Sequence, residues 1–237
     1  MESVVLFGAG AIGEAIIRRI GAGRQIILAD RNEVNLRAVA QHLEFAGYRV
    51  ICIQADISQR SDIQQVIAPG GSGIMISSQS GHRLPALGEE NDRALAMTPV
   101  EKLAKLEFLD SKIIKDPLEA YQLAKRANVL RVAAKAVEWS KRHARINAIS
   151  PGIVMTPLAV DELNGPRGEG YKKMFEAMVD KRPGTPDEIA DLAEFLMSRK
   201  AAFITGSDIL MGGGVTAKYW YGTVEEVRPD RPENLDK

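Results

Sequence analysis

Cysteine is almost absent from this chain of 237 residues, because Cys52 is the only one. A single cysteine cannot form an internal disulfide, so a fold stapled by such bonds is excluded. Cys52 lies in the apolar alternation YRVICIQAD, which favours a buried structural thiol over a nucleophile.

The chain also lacks an excess of charge and a long apolar run. Its 31 basic residues balance 31 acidic ones, and no block of like charges is present. This balance predicts neither nucleic acid nor an anionic membrane as a partner. No apolar stretch approaches the length of a membrane span. Strand-like sequence begins at Ser3, which leaves no room for a secretory leader, so we expect a cytoplasmic protein.

Histidine is scarce as well, and its three copies are scattered without the spacing of metal ligands. They are His42, His82 and His143. The sequence therefore predicts no zinc site.

Short β-rich segments alternate with amphipathic helical ones. The strand-like segments SVVLFGAG, QIILAD and YRVICIQAD are separated by the helical segments AIGEAIIRRIGAG and NEVNLRAVAQHLEFAG. This alternation predicts an α/β fold with a doubly wound parallel sheet in a single domain. We expect that domain over residues 1–222, followed by a polar, proline-containing tail over 223–237.

Three glycines form the pattern G-x-G-x-x-G where the first strand meets the first helix. They are Gly8, Gly10 and Gly13, and the backbone of Ala11 and Ile12 lies between them. Glycine permits a tight turn and a close approach of a diphosphate to the free N–H groups of the helix. The context predicts a Rossmann-type dinucleotide site.

Asp30 ends the second strand, where a carboxylate can accept hydrogen bonds from the ribose hydroxyls of a dinucleotide. The alternative is a cap for the following helix. A carboxylate repels a 2′-phosphate, which favours NAD over NADP. Arg31 follows directly and could accommodate that phosphate, so NADP stays an alternative.

The segment EAYQLAKRAN places Tyr121 and Lys125 four residues apart, on one face of a helix. By itself this spacing is typical of a solvated helix face. Further motifs are needed to decide whether the pair lies on a solvated surface or in an active site.

Two later segments carry a resemblance to a known family. RINAISPGIVMTP (145–157) and GTPDEIADLAEFLMSRKAAFITGSDILMGGG (184–214), with the glycine turn and Tyr121-x-x-x-Lys125, resemble the short-chain dehydrogenase/reductase family. The resemblance implies that Tyr121 and Lys125 are catalytic, with a serine from GIMISSQSG. Ser78 matches the family position better than Ser77, and either hydroxyl could simply cap the strand end.

The implied function is hydride transfer between a nicotinamide cofactor and a secondary alcohol or ketone, steroid-like or another carbonyl compound, in a homo-oligomer. The alcohol must lose a proton as its hydride leaves, and Tyr121 would accept it as tyrosinate. Lys125 would favour the tyrosinate and hold the nicotinamide ribose. Ser78 would polarise the substrate oxygen.

The resemblance also assigns further cofactor contacts, each with a purely structural alternative as a cap or a turn. Asp56 and the Ile57 backbone would meet the adenine, the turn Pro151, Gly152 and Ile153 would line the nicotinamide, and Thr156 would lie near the phosphates. Gly212 stands where the family often has aspartate, so a structural hydrogen bond is in question.

An insertion at 82–114 lengthens the interval between Ser78 and Tyr121, as in some carbonyl reductases and hydroxysteroid dehydrogenases. We expect a loop followed by a helix that starts near Thr98-Pro99, and the insertion could cover the substrate or obstruct an oligomer. The acids Glu89, Glu90 and Asp92 are expected on a solvated face.

The interval from Asp56 to Ser78 is too short for the strand and helices that the family carries there. Either 74–78 moves beside the first strand, or the complete protein has further residues in this region, which we favour because both flanks keep their patterns. The shortened interval also allows a rival function, a non-catalytic dinucleotide-binding sensor or interaction protein.

Overall fold

The computed structural model describes residues 2–55, 69–166 and 168–222. Within these ranges six strands form two parallel three-stranded sheets. The strands are β1 Ser3–Phe7, β2 Gln25–Asp30, β3 Arg49–Gln54, β4 Ser72–Ile76, β5 Arg145–Pro151 and β6 Asp208–Met211. The predicted α/β class with parallel strands in a single domain is confirmed.

The helices of the described residues connect these strands and cover them. They are α1 Ala11–Ile20, α2 Glu33–Phe45, α3 Glu89–Met97, α4 Val100–Leu103, α5 Pro117–Ser140, α6 Pro157–Asn164, α7 Gly168–Glu176, α8 Pro186–Met197 and α9 Val215–Tyr221. A short 3₁₀ turn, Gln79–His82, follows β4 directly. None of the described helices is long and apolar enough to cross a membrane.

The first sheet has the order β1-β2-β3, with Ser3 opposite Gln25 and Gln25 opposite Arg49. Alternate residues of β2, Ile26 and Leu28, are fully buried against α1 and α2. Alternation places one apolar face of each strand on the helices, since successive side chains point to opposite faces.

Cys52 corrects one prediction, because its side chain is exposed rather than buried. It lies on β3, an edge strand that pairs only with β2 among the described residues. The little burial that it has raises the pKa of its thiol, and the nearby Glu44 carboxylate adds to that shift. A raised pKa disfavours the thiolate, so the structure gives no activation of Cys52 as a nucleophile.

The second sheet has the order β4-β5-β6, and its central strand β5 carries the fully buried Ala148 and Ile149. Helices α1 and α8 pack against each other and join the two sheets. Ile16 of α1 shares one apolar cluster with Ile149, and Ile189 and Leu196 of α8 complete it. The glycine turn is therefore held rigidly against the second sheet.

The sheet does not close up within the described part of the chain. There β4 pairs with β5 and β1 pairs with β2, and the two strands do not pair with each other. The arrangement with 74–78 beside the first strand is therefore not adopted. Asp56 and Ile57 lie outside the described residues, as do 223–237.

The structure of segment 82–114 differs from the prediction. A helix does start after Pro99, but this helix, α4, has only four residues. The longer helix α3 begins upstream at Glu89, with three acidic residues in its first turn, where they complement the helix dipole. The prediction assigns these acids only to a solvated face and therefore misses the helix start.

Candidate active site

The N-terminus of α1 is open, as a diphosphate site requires. Gly8 has a φ of +89°, which glycine adopts without strain. Gly10 is the N-cap of α1 and makes no side-chain cap hydrogen bond. A Cβ added at Gly13 would lie 2.9 Å from the Gly8 carbonyl oxygen, so a side chain there would push the helix away from the turn. Free N–H groups therefore face an uncrowded cradle that fits a diphosphate.

Asp30 faces this cradle. Its Oδ2 accepts a hydrogen bond from the Ala9 N–H at 2.6 Å, and its Oδ1 accepts one from the Asn32 N–H at 2.8 Å. Asn32 is the residue that caps α2, so the alternative role for Asp30 as helix cap is not realised. Each carboxylate oxygen keeps a second lone pair for a ribose hydroxyl. Arg31 is exposed beside it.

The two serines at the end of β4 have different environments. Ser77 is 4% exposed, and its hydroxyl donates to the Lys125 carbonyl oxygen at 2.8 Å. The Ser78 hydroxyl is half-buried and accepts from the Ser80 N–H at 3.2 Å, at the start of the 3₁₀ turn. Ser77 thus ties β4 to α5, while Ser78 can still donate its own proton.

Tyr121 and Lys125 lie one turn apart on α5, a helix that starts at Pro117 with Asp116 as its N-cap. The Lys125 Nζ is 5.4 Å from the centre of the Tyr121 ring, and 46% of Tyr121 is exposed. Burial lowers the pKa of Lys125. A phenol with an open side and an ammonium at its ring is suited to proton exchange with a ligand.

Gly81 allows the turn that follows Ser78 to pack closely against α5, the helix that carries Tyr121 and Lys125. A Cβ added there would lie 2.7 Å from the Arg126 nitrogen and 2.8 Å from the Lys125 carbonyl carbon, both backbone atoms. Any other residue would separate the turn from α5. Ser77 and Gly81 together place Ser78 beside the helix that carries Tyr121.

The turn after β5 approaches the turn after β6. The Gly152 N–H donates to the Met211 carbonyl at 2.9 Å, and a Cβ at Gly152 would lie 2.8 Å from the Gly212 Cα. A Cβ at Gly212 would meet the Gln79 Oε1 at 2.9 Å. Gln79 therefore fills the space next to Gly212, a role that sequence reasoning missed.

The remaining predicted contacts lie on the same side of the second sheet. Pro151 ends β5, and Ile153 is buried just after it. The Thr156 hydroxyl accepts from the Ala159 N–H at 3.2 Å and caps α6, so its structural alternative is realised. A hydroxyl in that position retains a proton to donate to a phosphate.

Three further polar contacts hold the elements around the site together. His82 Nε2 lies 2.6 Å from Asp208 Oδ2, and the buried Ser150 donates to the same carboxylate at 2.8 Å. Asp92 of α3 pairs with Arg126 of α5 at 2.8 Å, which holds α3 against α5. This pair contradicts the prediction that Asp92 lies on a solvated face. Glu89 and Glu90 are exposed, in agreement with the prediction.

Comparisons with known proteins agree with this geometry. Residues 93–216, over half of the chain, match the family described as enoyl-(acyl carrier protein) reductase. Residues 4–83 match a family described as the saccharopine dehydrogenase NADP binding domain. The fold and these family matches thus define a pyridine-nucleotide-binding oxidoreductase. The chain belongs to the short-chain dehydrogenase/reductase family.

Individual relatives are similar over almost the whole chain. The short-chain dehydrogenase/reductase bsc3 of Alternaria brassicicola is 28% identical over 264 residues, covering 91% of this chain and 96% of the relative. The NAD-dependent glycerol dehydrogenase of Listeria innocua is 27% identical, with coverages of 91% and 94%. A solved short-chain dehydrogenase/reductase from Serratia marcescens shares the fold, with a TM-score of 0.66, 20% identity and coverages of 91% and 98%.

Proposed function

We propose that this oxidoreductase transfers a hydride between NAD and a secondary alcohol or ketone, with Tyr121 exchanging the proton. One observation carries the proposal: the Lys125 Nζ lies 5.4 Å from the centre of the half-exposed Tyr121 ring, on the helix against which the Ser78 turn is docked. This arrangement supports a shared proton-transfer role for Tyr121, Lys125 and Ser78.

The cradle at the start of α1 would hold the cofactor, with Asp30 on the adenosine ribose and the turn 151–153 on the nicotinamide. When bound, NAD supplies the hydride acceptor, and its reduced form supplies the hydride donor. Asp30 favours NAD because its carboxylate would repel a 2′-phosphate. Asp56 and Ile57 stay predicted adenine contacts.

Each catalytic side chain has a separate task. Tyr121 accepts the hydroxyl proton of an alcohol, or returns it to the oxygen of a ketone. The Lys125 ammonium stabilises the tyrosinate by its charge. Ser78 donates to the substrate oxygen and polarises it.

The names of two relatives support an alcohol substrate. One is a glucose 1-dehydrogenase from Gluconobacter oxydans, and the other is the NAD-dependent glycerol dehydrogenase. The steroid-like subtype, the cytoplasmic location and the homo-oligomer stay predictions from the sequence.

The decisive variant is Tyr121→Phe, which removes one hydroxyl and keeps the ring. On an alcohol that the parent protein oxidises, followed by NADH absorbance, turnover should fall at least about 10²-fold, the lower end of general acid–base contributions. NAD affinity, measured by titration, should change little.

Lys125→Ala provides the contrast, since it removes both the charge at Tyr121 and the proposed ribose contact. Turnover should fall as in Tyr121→Phe, and NAD affinity should fall as well. Near-parental activity of Tyr121→Phe would overturn the catalytic assignment. NAD binding without turnover of a broad alcohol and ketone panel would support the sensor function instead.

A further inference from the structure

Arg83 ends the turn that begins at Ser78, and its guanidinium is poorly satisfied. Its Nε is buried and has no hydrogen-bond partner among the described residues. Its Nη1 points at the Met174 sulfur at 3.3 Å, a weak acceptor. The guanidinium carbon lies 5.4 Å from the centre of the Tyr219 ring. The described part of the chain offers Arg83 no ion pair with a carboxylate.

Other partly buried arginines are satisfied. Arg126 pairs with the Asp92 carboxylate. Arg131 donates to two carbonyl oxygens at the end of α3, and Arg145 donates to four near α8. Arg83 differs from them because it combines burial with the absence of any strong acceptor.

Burial without an acceptor is unfavourable for a cation, and it lowers the pKa of Arg83. The ring of Tyr219 offsets only part of this cost, since a cation–π contact replaces neither water nor a carboxylate. An anion on Nη2, which has no hydrogen-bond partner among the described residues, would supply a charge-assisted hydrogen bond and balance the charge of the guanidinium.

The backbone around Arg83 is held firmly, as a binding residue requires. His82 contacts Asp208 at 2.6 Å, and the Trp220 indole N–H donates to the His82 carbonyl at 2.8 Å. Gly81 packs on the backbone of α5. Arg83 as a whole is half-buried, so part of its side chain keeps contact with solvent.

We infer that Arg83 binds a carboxylate of the substrate, so that the alcohol or ketone proposed above is a hydroxy or oxo acid. This inference rests on the proposed function for the reacting group, but the anion site itself is independent of turnover. Five residues at about 2 Å each separate Ser78 from Arg83 along the turn, so the carboxylate belongs several bonds from the reacting carbon.

The probes are 4-oxopentanoate, 5-oxohexanoate and 6-oxoheptanoate, each compared with its primary amide. The amide keeps the shape and removes the charge. Binding to the full chain is measured by ligand-observed NMR, with and without NAD, and ketone reduction by NADH is measured in parallel. For at least one chain length, the acid should bind about 10-fold more tightly than its amide, as charge-assisted hydrogen bonds allow.

Arg83→Met should bring the ratio of acid to amide affinity close to one. Arg83→Lys should keep part of the preference, because it retains the charge but not the planar edge; it also decides the matter if the Met variant does not fold. The exposed Arg93, replaced in Arg93→Met, serves as the control and should leave the ratio unchanged.

A ratio near one in the parent protein at all three lengths, or an unchanged ratio in a folded Arg83→Met, would overturn the carboxylate site. Displacement of the acids by equal concentrations of inorganic phosphate would overturn the carboxylate class in favour of a general oxyanion site. An Arg83-dependent ratio without ketone reduction would support the site and count against the proposed function. Reduction of the amides together with an acid-to-amide affinity ratio of one would support the proposed function and count against the carboxylate site.

Discussion

At the scale of single residues, one side chain often serves the fold and the ligand together. Asp30 bridges the glycine turn and the start of α2 through the Ala9 and Asn32 N–H groups. This bridge orients the carboxylate toward the cradle before any ligand arrives. A substitution at Asp30 changes both the charge next to the cofactor and these two hydrogen bonds, so a test of cofactor selectivity needs a control for the hydrogen bonds.

Asp30→Ala should narrow the preference for NAD over NADP, because it removes the charge that repels a 2′-phosphate. Direct titration of both cofactors measures the two affinities. Asp30→Asn is the control, since it keeps one oxygen acceptor for the bridge while it removes the charge. A parent protein that prefers NADP would contradict the role of Asp30 and assign Arg31 to the phosphate.

At the scale of elements, α8 shows how a helix that joins the two sheets is started. Thr185 and Glu188 form a reciprocal capping box, and Arg182 pairs with the Glu188 carboxylate at 2.7 Å. Hydrogen bonds from Arg182 and then Thr185 lower the pKa of Glu188 to about 2. Because α8 packs on α1, the interactions that cap α8 also support the helix whose N-terminus forms the cofactor cradle.

The lowered pKa predicts a pH dependence of stability. Between pH about 2 and 4.5 the unfolded state binds more protons than the folded one, so this contribution is present above pH 4.5 and is lost as the pH falls toward 2. The pair is exposed, so the effect should be at most about 1 kcal/mol.

Glu188→Gln should therefore lower the free energy of unfolding at pH 7 and have less effect at pH 3. Urea unfolding at the two pH values measures it. Glu194→Gln on the same helix is the control, since the described residues give Glu194 no ion pair. An equal loss at both pH values would attribute the effect of Glu188 to something other than its charge.

At the scale of the whole molecule, the separation between the two sheets is the main departure from a continuous doubly wound sheet. Strands β2 and β5 have partners on both sides, whereas β1 and β4 each have one partner in the described ranges. The 264 aligned positions with the Alternaria relative exceed the 237 residues of this chain, so that relative has residues that this chain lacks. Unpaired backbone groups in central strands are costly unless water reaches them.

Native-state hydrogen exchange should reveal this arrangement. Amides of β2 and β5 should be protected most, and those β1 and β4 amides directed away from their single partner should exchange faster. Equal protection of all four strands would show that β1 and β4 have partners on both sides. An intact mass above 25.9 kDa would then attribute those partners to further residues of the complete protein.

The sequence by itself determined the alternation of the first three strands with two helices, the glycine turn and the Tyr121–Lys125 pair. These features depend on neighbours a few residues apart: period-two alternation, a glycine where φ is positive, and an i,i+4 spacing on one helix. Such local preferences act before tertiary contacts form. They sufficed to predict the fold class, which is confirmed, and the site residues, which stay predictions.

Only the tertiary structure decided which serine contacts α5, which arginine has a buried nitrogen without a hydrogen-bond partner among the described residues, and where the described strands stop pairing. Ser77 meets the Lys125 carbonyl across 48 positions of sequence, and Asp92 meets Arg126 across 34. The exposure of Cys52 depends on which strand pairs beside β3. These outcomes depend on distances between segments remote in sequence, and the packing of whole elements sets those distances, which no local pattern encodes.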